Sequence, residues 1–331
     1  MIFHILLFLV CCALFYFSGR WIINGLMRVA KFLEWREFVV AFFVMATAGT
    51  LPNLFVGISS ALRGIPQLSF GDVAGNNLIG LTLSTAIAAM LSKKGTVAKS
   101  KTVQSTLIFT FAAALLPLVL SFDGNLTRID ATILIVTFVG YVVWLFSKEE
   151  RFTKTYEKRG RKPADAVKKF RIDMVKLGLG LIILIAASQG VVISANYFAA
   201  TLGLSLVLIG VLITGPGSAL PEIYFDAVSA KKGDSWLTMG DSMGAIILPA
   251  TLVLGIVSMI CPMQNLDFST FAVARIFLII AAILFLFFAR SKEMINKNEA
   301  LILLCVYIVF LIVEVFFKNI ILHLNTYLPI S

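Results

Sequence analysis

Residues 49–77 read GTLPNLFVGISSALRGIPQLSFGDVAGNN. The stretch is mostly apolar, yet it carries Pro52, Asn53, Asp72 and the adjacent asparagines Asn76 and Asn77. A hydrocarbon environment penalises each such group that lacks a partner. Residues 218–246, SALPEIYFDAVSAKKGDSWLTMGDSMGAI, repeat the pattern. With Leu51-Pro52-Asn53 set against Leu220-Pro221-Glu222, the offset is 169 residues, and Gly71-Asp72 meets Gly240-Asp241 without a gap. Gly75 meets Gly244 at the same offset. Two copies of one unit explain the match.

The chain around these copies is built for a bilayer. Of its 331 residues, 59% are hydrophobic and 14% charged, against roughly half and a quarter in ordinary soluble domains. Hydropathy predicts ten spans, near residues 2–27, 37–62, 71–92, 103–121, 131–147, 174–199, 203–230, 237–260, 269–289 and 299–317. Each is close to the length a bilayer requires. The expected fold class is an all-α integral membrane bundle of two inverted five-helix repeats. Residues 1–147 hold the first repeat, 148–173 a basic, partly helical linker, and 174–331 the second repeat. The opening residues MIFHILLFLVCCALFYFS lack a basic leader region and a small-residue cleavage site, so they read as the first span.

Charge sets the expected orientation. Most of the 28 lysines and arginines follow spans 1, 3, 5, 7 and 9; the exceptions are Arg20, Arg63, Arg128, Arg275 and Lys318. By the positive-inside rule those loops are cytoplasmic, and both termini lie on the extracytoplasmic side of the cell membrane. The net charge of +10 thus follows topology and does not call for nucleic acid. The basic linker reads as a topology anchor, with contact to anionic lipid as the alternative. Cys11, Cys12, Cys261 and Cys305 have no metal-ligand spacing and read as small core residues.

Five spans separate the two copies, so they face opposite ways across the bilayer. Inverted repeats of this kind mark secondary transporters, with the site at the midplane where the halves meet. Pro52 and Pro221 are expected to break their helices and free carbonyl oxygens for cations. Beside them lie Thr47, Thr50 and Asn53 in one half, and Thr214, Ser218, Glu222 and Asp226 in the other. Glu222 and Asp226 are four residues apart and share a helix face. A carboxylate inside a membrane is by default a functional-site hypothesis.

These residues resemble the sodium/calcium exchanger family of the cation/calcium antiporter superfamily. Its inverted repeats carry a pattern like G-T-S-L-P-E followed by G-N-x-x-G-S-N. Here the copies read GTLPN with GDVAGNN, and GSALPE with GDSMGAI. The segment FSGRWIINGLMRVAKFLEW is also similar to the family's first helix. The resemblance implies that the second-repeat glutamate is Glu222 and that its first-repeat counterpart is the neutral Asn53. The hydroxyl three residues earlier falls on Thr50 and Ala219, and the one before that on Gly49 and Ser218. The serine of G-S-N falls on Asn76 and Ala245, and the Asn or Asp one turn further on Gly80 and Pro249. The asparagines of G-N have become Asp72 and Asp241. Arg20 stands where many members have an acid, and either pairs with a carboxylate or snorkels toward the interface.

The resemblance implies secondary cation antiport by alternating access, with spans 2, 3, 7 and 8 forming the site and spans 1 and 6 moving across them. Glu222 is the expected central ligand. Asn53, Thr50, Asn76 and Ser218 are expected to supply neutral oxygens, and Asp226, Asp72 and Asp241 to collect ions at the two mouths. Calcium wants six to eight oxygens, usually with several carboxylates, so the missing acid points to proton coupling or changed ion selectivity. The expected partners are transported cations (Ca2+, Na+ or H+) and membrane lipid, with no cofactor and no nucleic acid. A changed substrate and a non-transporting membrane protein remain as alternatives. Two enzyme readings are weaker. GDSMG at 240–244 matches G-x-S-x-G, but that motif needs a strand-to-helix turn and a histidine partner. An intramembrane aspartyl protease would need Asp72 and Asp241 to share one proton at close range.

Overall fold

The computed structural model describes residues 1–32, 46–92, 95–97, 101–147, 163–233, 235–266 and 271–327. They form ten helices, as the hydropathy predicts. These are α1 (Ile2–Phe32), α2 (Thr47–Leu62), α3 (Gln67–Leu91), α4 (Lys101–Leu120) and α5 (Arg128–Phe146) in the first half. The second half holds α6 (Pro163–Leu202), α7 (Leu206–Lys232), α8 (Ser235–Leu248, continued by Pro249–Val253 and Leu254–Ile260), α9 (Ala272–Ser291) and α10 (Lys297–Tyr327). Among the described residues, all but α2 and α10 are long and apolar enough by themselves to cross a membrane. Helices suit lipid because every backbone group is satisfied within the segment. Residues 148–162 of the basic linker lie outside the described residues, and its remainder is the start of α6.

The repeat seen in the text extends to details of the backbone. α3 contains a π-helical turn at Gly80–Ser84, and α8 contains one at Pro249–Val253, at the same 169-residue offset. The N-terminus of α5 is closed by a capping box between Thr127 and Asp130. Its counterpart at α10 pairs Asn296 and Glu299: the Asn296 amide donates to Glu299 Oε2 at 2.9 Å, and the Glu299 amide to Asn296 Oδ1 at 3.0 Å. Such boxes satisfy helix-end donors reciprocally. The loops obey the same symmetry. β1 (Thr96–Val97) pairs antiparallel with β2 (Met294–Ile295), joining the α3–α4 and α9–α10 connections. On the opposite face Leu126 and Met263 exchange backbone hydrogen bonds of 2.9 and 3.0 Å, joining the α4–α5 and α8–α9 connections.

α1 and α6 form an antiparallel pair whose end contacts are exchanged by the repeat. His4 stacks on Tyr197 at one end, with ring centroids 3.8 Å apart, and Arg28 forms an ion pair with Asp173 at the other. At the repeat offset these two contacts exchange places, since His4 corresponds to Asp173 and Arg28 to Tyr197. Between them, Gly190 leaves room for the Cys11 thiol and Gly180 for Ile22. The pair shares an apolar cluster with parts of α2, α3 and α7, while a larger cluster joins α3, α4, α5, α7, α8, α9 and α10.

Pro52 and Pro221 do not break their helices. Both lie inside continuous helix, Thr47–Leu62 and Gly215–Lys232. The adjustment in α7 comes earlier, as a π-helical turn at Gly210–Thr214 immediately before Gly215-Pro216. A regular turn there would press the Pro216 ring against the carbonyl four residues back, and the wider turn relieves that clash. Each interior proline removes one amide, so the carbonyls of Ala48 and Gly217 lose their helical donors. The arrangement of loops predicts a labelling result. Single cysteines replacing the exposed Gln264 and Lys292 should react with a membrane-impermeant thiol reagent from opposite sides of a sealed vesicle. Labelling of both from one side would rule out the inverted arrangement.

Candidate ion site

The site is organised along the seam between α3 and α7. Gly71 and Gly75 of α3 lie against the backbone of α7. A Cβ on Gly75 would come within 2.6 Å of the Val211 carbonyl oxygen, and one on Gly71 would overlap the Val207 carbonyl. Gly210 and Gly215 return the favour from α7, where an added Cβ would lie 2.6 Å from the Asp72 amide nitrogen and 3.0 Å from that of Asn76. Small residues spaced this way let two membrane helices meet backbone to backbone. Side chains beyond the glycines are then forced into contact across the seam.

Three polar rungs result, with residue numbers rising together on the two parallel helices. Ser218 donates to Asp72 Oδ1 at 3.1 Å. Asn76 Nδ2 donates to Glu222 Oε2 at 3.3 Å, and the same nitrogen lies 3.5 Å from the carbonyl of Ala245, its own repeat counterpart. Ser84 donates to Asp226 Oδ2 at 2.7 Å, and Ser242 of α8 donates to the same oxygen at 3.0 Å. Helix α2 approaches Glu222 through Gly49, where a Cβ would sit 2.9 Å from Glu222 Cγ. Thus the absence of a side chain at position 49 makes space for the glutamate from the other half.

All eight of the sequence-predicted site residues are buried. Asp72, Asp226 and Asp241, expected at the mouths, are enclosed in this conformation, at 0%, 2% and 2% exposure. Asp241 lies close enough to Asp226 and Glu222 for their charges to act on one another. Several polar atoms are left without hydrogen-bond partners among the described residues: Glu222 Oε1, Asp72 Oδ2, Asp226 Oδ1, Asn76 Oδ1, Thr50 Oγ1 and both side-chain heteroatoms of Asn53. Buried polar groups are rarely left in this way. Ser84 was missed in the sequence. Its signal was a hydroxyl in an apolar span whose repeat counterpart is Val253. Arg20 pairs with no carboxylate among the described residues; its guanidinium lies 5.9 Å from the rings of both Tyr16 and Tyr224. It lines a separate cavity of about 230 Å³ with Trp21, Asn24 and Lys176.

The family model described as sodium/calcium exchanger protein matches residues 3–147 and 173–316, which covers both halves of this repeat. The chain belongs to that family. It is 23% identical over 331 aligned residues to the sodium/calcium exchanger MaX1 of Methanosarcina acetivorans, covering 89% of this chain and 94% of the relative. An uncharacterised membrane protein of Methanocaldococcus jannaschii is 24% identical over 91% of this chain and 95% of its own length. A putative antiporter, CaxA of Alkalimonas amylolytica, is 25% identical over 77% of this chain and 80% of the relative. Among solved structures, the sodium-calcium exchanger NCX_Mj soaked with 10 mM Na+ and zero Ca2+ superposes with a TM-score of 0.65 at 23% identity, over 93% of this chain and 97% of that one. The fold is shared. The family is one of cation transporters and not of enzymes. The hydrolase reading of GDSMG also lacks its geometry, because Ser242 lies inside α8 and donates its hydroxyl to Asp226.

The seam gives a sharp mutational contrast. Gly75→Ala should destabilise the fold by about 2 kcal/mol or more, because the new methyl meets backbone that cannot rotate away. Gly140→Ala, with nothing within 4 Å of its added Cβ, should be neutral or stabilising. Thermal midpoints of the two purified variants in detergent check this, and similar midpoints would contradict the tight seam.

Proposed function

We propose that this chain is a secondary cation antiporter working by alternating access, with Glu222 as its central ligand and with singly charged ions, Na+ or H+, favoured over Ca2+. The observation that carries the reading is a charge imbalance. Asp72, Glu222, Asp226 and Asp241 are buried together near the α3–α7–α8 junction, while no lysine or arginine is buried among the described residues. Uncompensated carboxylates in a low-dielectric interior are costly, so ions or protons must offset them. The neutral Asn53, the repeat counterpart of Glu222, supports single charges over calcium, which usually takes several carboxylates.

Alternation is supported by the way α1 and α6 pack on the rest. They are tied to each other along their length. Against α7, α1 brings Cys12 and Phe8 beside Gly217, and Gly19 beside Pro221. A pair bound tightly within itself suits rigid-body movement across a fixed site. The positive-inside rule gives the orientation, with the loop at Lys292 cytoplasmic and the loop at Gln264 outside.

The test is ion flux and binding with purified protein in vesicles. Glu222→Gln keeps shape and removes charge, and cation-coupled flux should fall below detection while the protein remains folded. Asn53→Glu restores paired central acids, and calcium binding should strengthen by at least about tenfold, the ratio that ~1.4 kcal/mol produces. Wild-type flux in Glu222→Gln would overturn the central-ligand assignment.

A further inference from the structure

The repeat contains its own control. Each residue of one half can be compared with its counterpart in the other half, and at one place three neighbouring residues differ together. Asp226, Ser84 and Ser242 correspond to Gly57, Val253 and Val73. In the second half the three polar groups are in contact, with both hydroxyls on Asp226 Oδ2 at 2.7 and 3.0 Å. In the first half the counterpart space is closed by packing. A Cβ on Gly57 would lie 2.7 Å from Val257 Cγ2, 2.8 Å from Ser69 Oγ and 3.3 Å from Val253 Cγ1. One half thus encloses a carboxylate with two hydroxyls where the other packs a glycine against Val253, Val257 and Ser69.

We propose that Asp226, Ser84 and Ser242 form a second cation station, one helical turn from Glu222, that takes a sodium-sized monovalent cation. Three helices converge on it: α7 with Asp226, the π-helical turn of α3 with Ser84, and α8 with Ser242. All three side chains are at least 97% buried. Asp226 Oδ1 has no hydrogen-bond partner among the described residues, although its twin oxygen has two. A carboxylate serving only to staple the helices would have no reason to leave one oxygen bare in a buried setting. Each serine, while donating to Oδ2, keeps acceptor lone pairs that can face a cation. Ser84 owes its position to the π-helical turn, a feature often found at functional sites.

One carboxylate with neutral oxygens matches a single positive charge, whereas calcium wants more acids. The acids nearest in the structure are Asp241, beside Ser242 on α8, and Glu222, four residues earlier on α7 and about 6 Å away along the axis. They deepen the local negative potential and would favour cations exchanged between the two stations. Because the counterpart place in the first half is closed, the station exists on one side of the central site only. The role of the station in transport rests on the antiporter reading above; its capacity to bind an ion does not.

The experiment removes the central site first and uses the purified full chain. Sodium chloride is titrated at constant ionic strength into E222Q, with lithium, potassium and calcium chlorides for comparison, and binding is read by calorimetry and by thermal midpoint. E222Q should retain saturable sodium binding. E222Q/D226N should lose at least about tenfold in sodium affinity, and so should E222Q/S84V/S242V, which installs the valines of the other half and covers the case in which the aspartate variant fails to fold. Absence of monovalent binding in E222Q, or an unchanged sodium isotherm in the folded double or triple variant, overturns the proposal. Wild-type protein that moves no cation across vesicles while E222Q still binds sodium through Asp226 would overturn the antiporter reading and leave the station standing.

Discussion

The backbone contact between α3 and α7 is the constraint on which the site depends. Four glycines, Gly71, Gly75, Gly210 and Gly215, remove the side chains that would hold the helices apart. Two helices at that distance cannot bury carboxylates between them without giving each a partner. The seam therefore places a hydroxyl or amide donor against each of three acids: Ser218 with Asp72, Asn76 with Glu222, Ser84 with Asp226. The third donor, Ser84, lies eight residues beyond Asn76, at the end of the π-helical turn Gly80–Ser84. Close packing and polar chemistry are the same feature seen at two scales.

Pseudo-symmetry is strong in the backbone and weak in the charges. The π-helical turns, the capping boxes and the loop pairings recur at equivalent positions in both halves. These elements govern folding and insertion, and both copies face the same bilayer. The acids follow another rule. Asp72 and Asp241 are repeat counterparts, but Glu222 corresponds to the neutral Asn53 and Asp226 to Gly57. The two halves thus share a backbone plan while differing in the acids they bury.

The pair α1–α6 completes the arrangement. Its internal contacts run from His4–Tyr197 to Arg28–Asp173 and hold it together as one body. Its contacts with α7 include those of α1 with Gly217 and Pro221, the latter adjacent to Glu222. Arg20, the one arginine within α1's apolar run, lies 5.9 Å from the aromatic rings of Tyr16 and Tyr224 and forms no ion pair among the described residues. The negative charge of the buried cluster is therefore not neutralised from this helix.

The sequence by itself determined the ten helices, the inverted repeat and the contrast of Glu222 with Asn53. Hydropathy is a property of short windows, and a gap-free 169-residue offset is visible without any fold. It also suggested broken helices at Pro52 and Pro221, whereas both helices run on through the proline, which costs an interior hydrogen bond without having to end the helix. Only the tertiary structure decided which polar groups meet. Asp72 and Ser218 are 146 residues apart in the chain, and Asp226 and Ser84 are 142 apart. A hydrogen bond acts over about 3 Å, so its partners are settled by how closely α3, α7 and α8 approach, and that approach is set by glycines whose effect appears only when another helix lies against them.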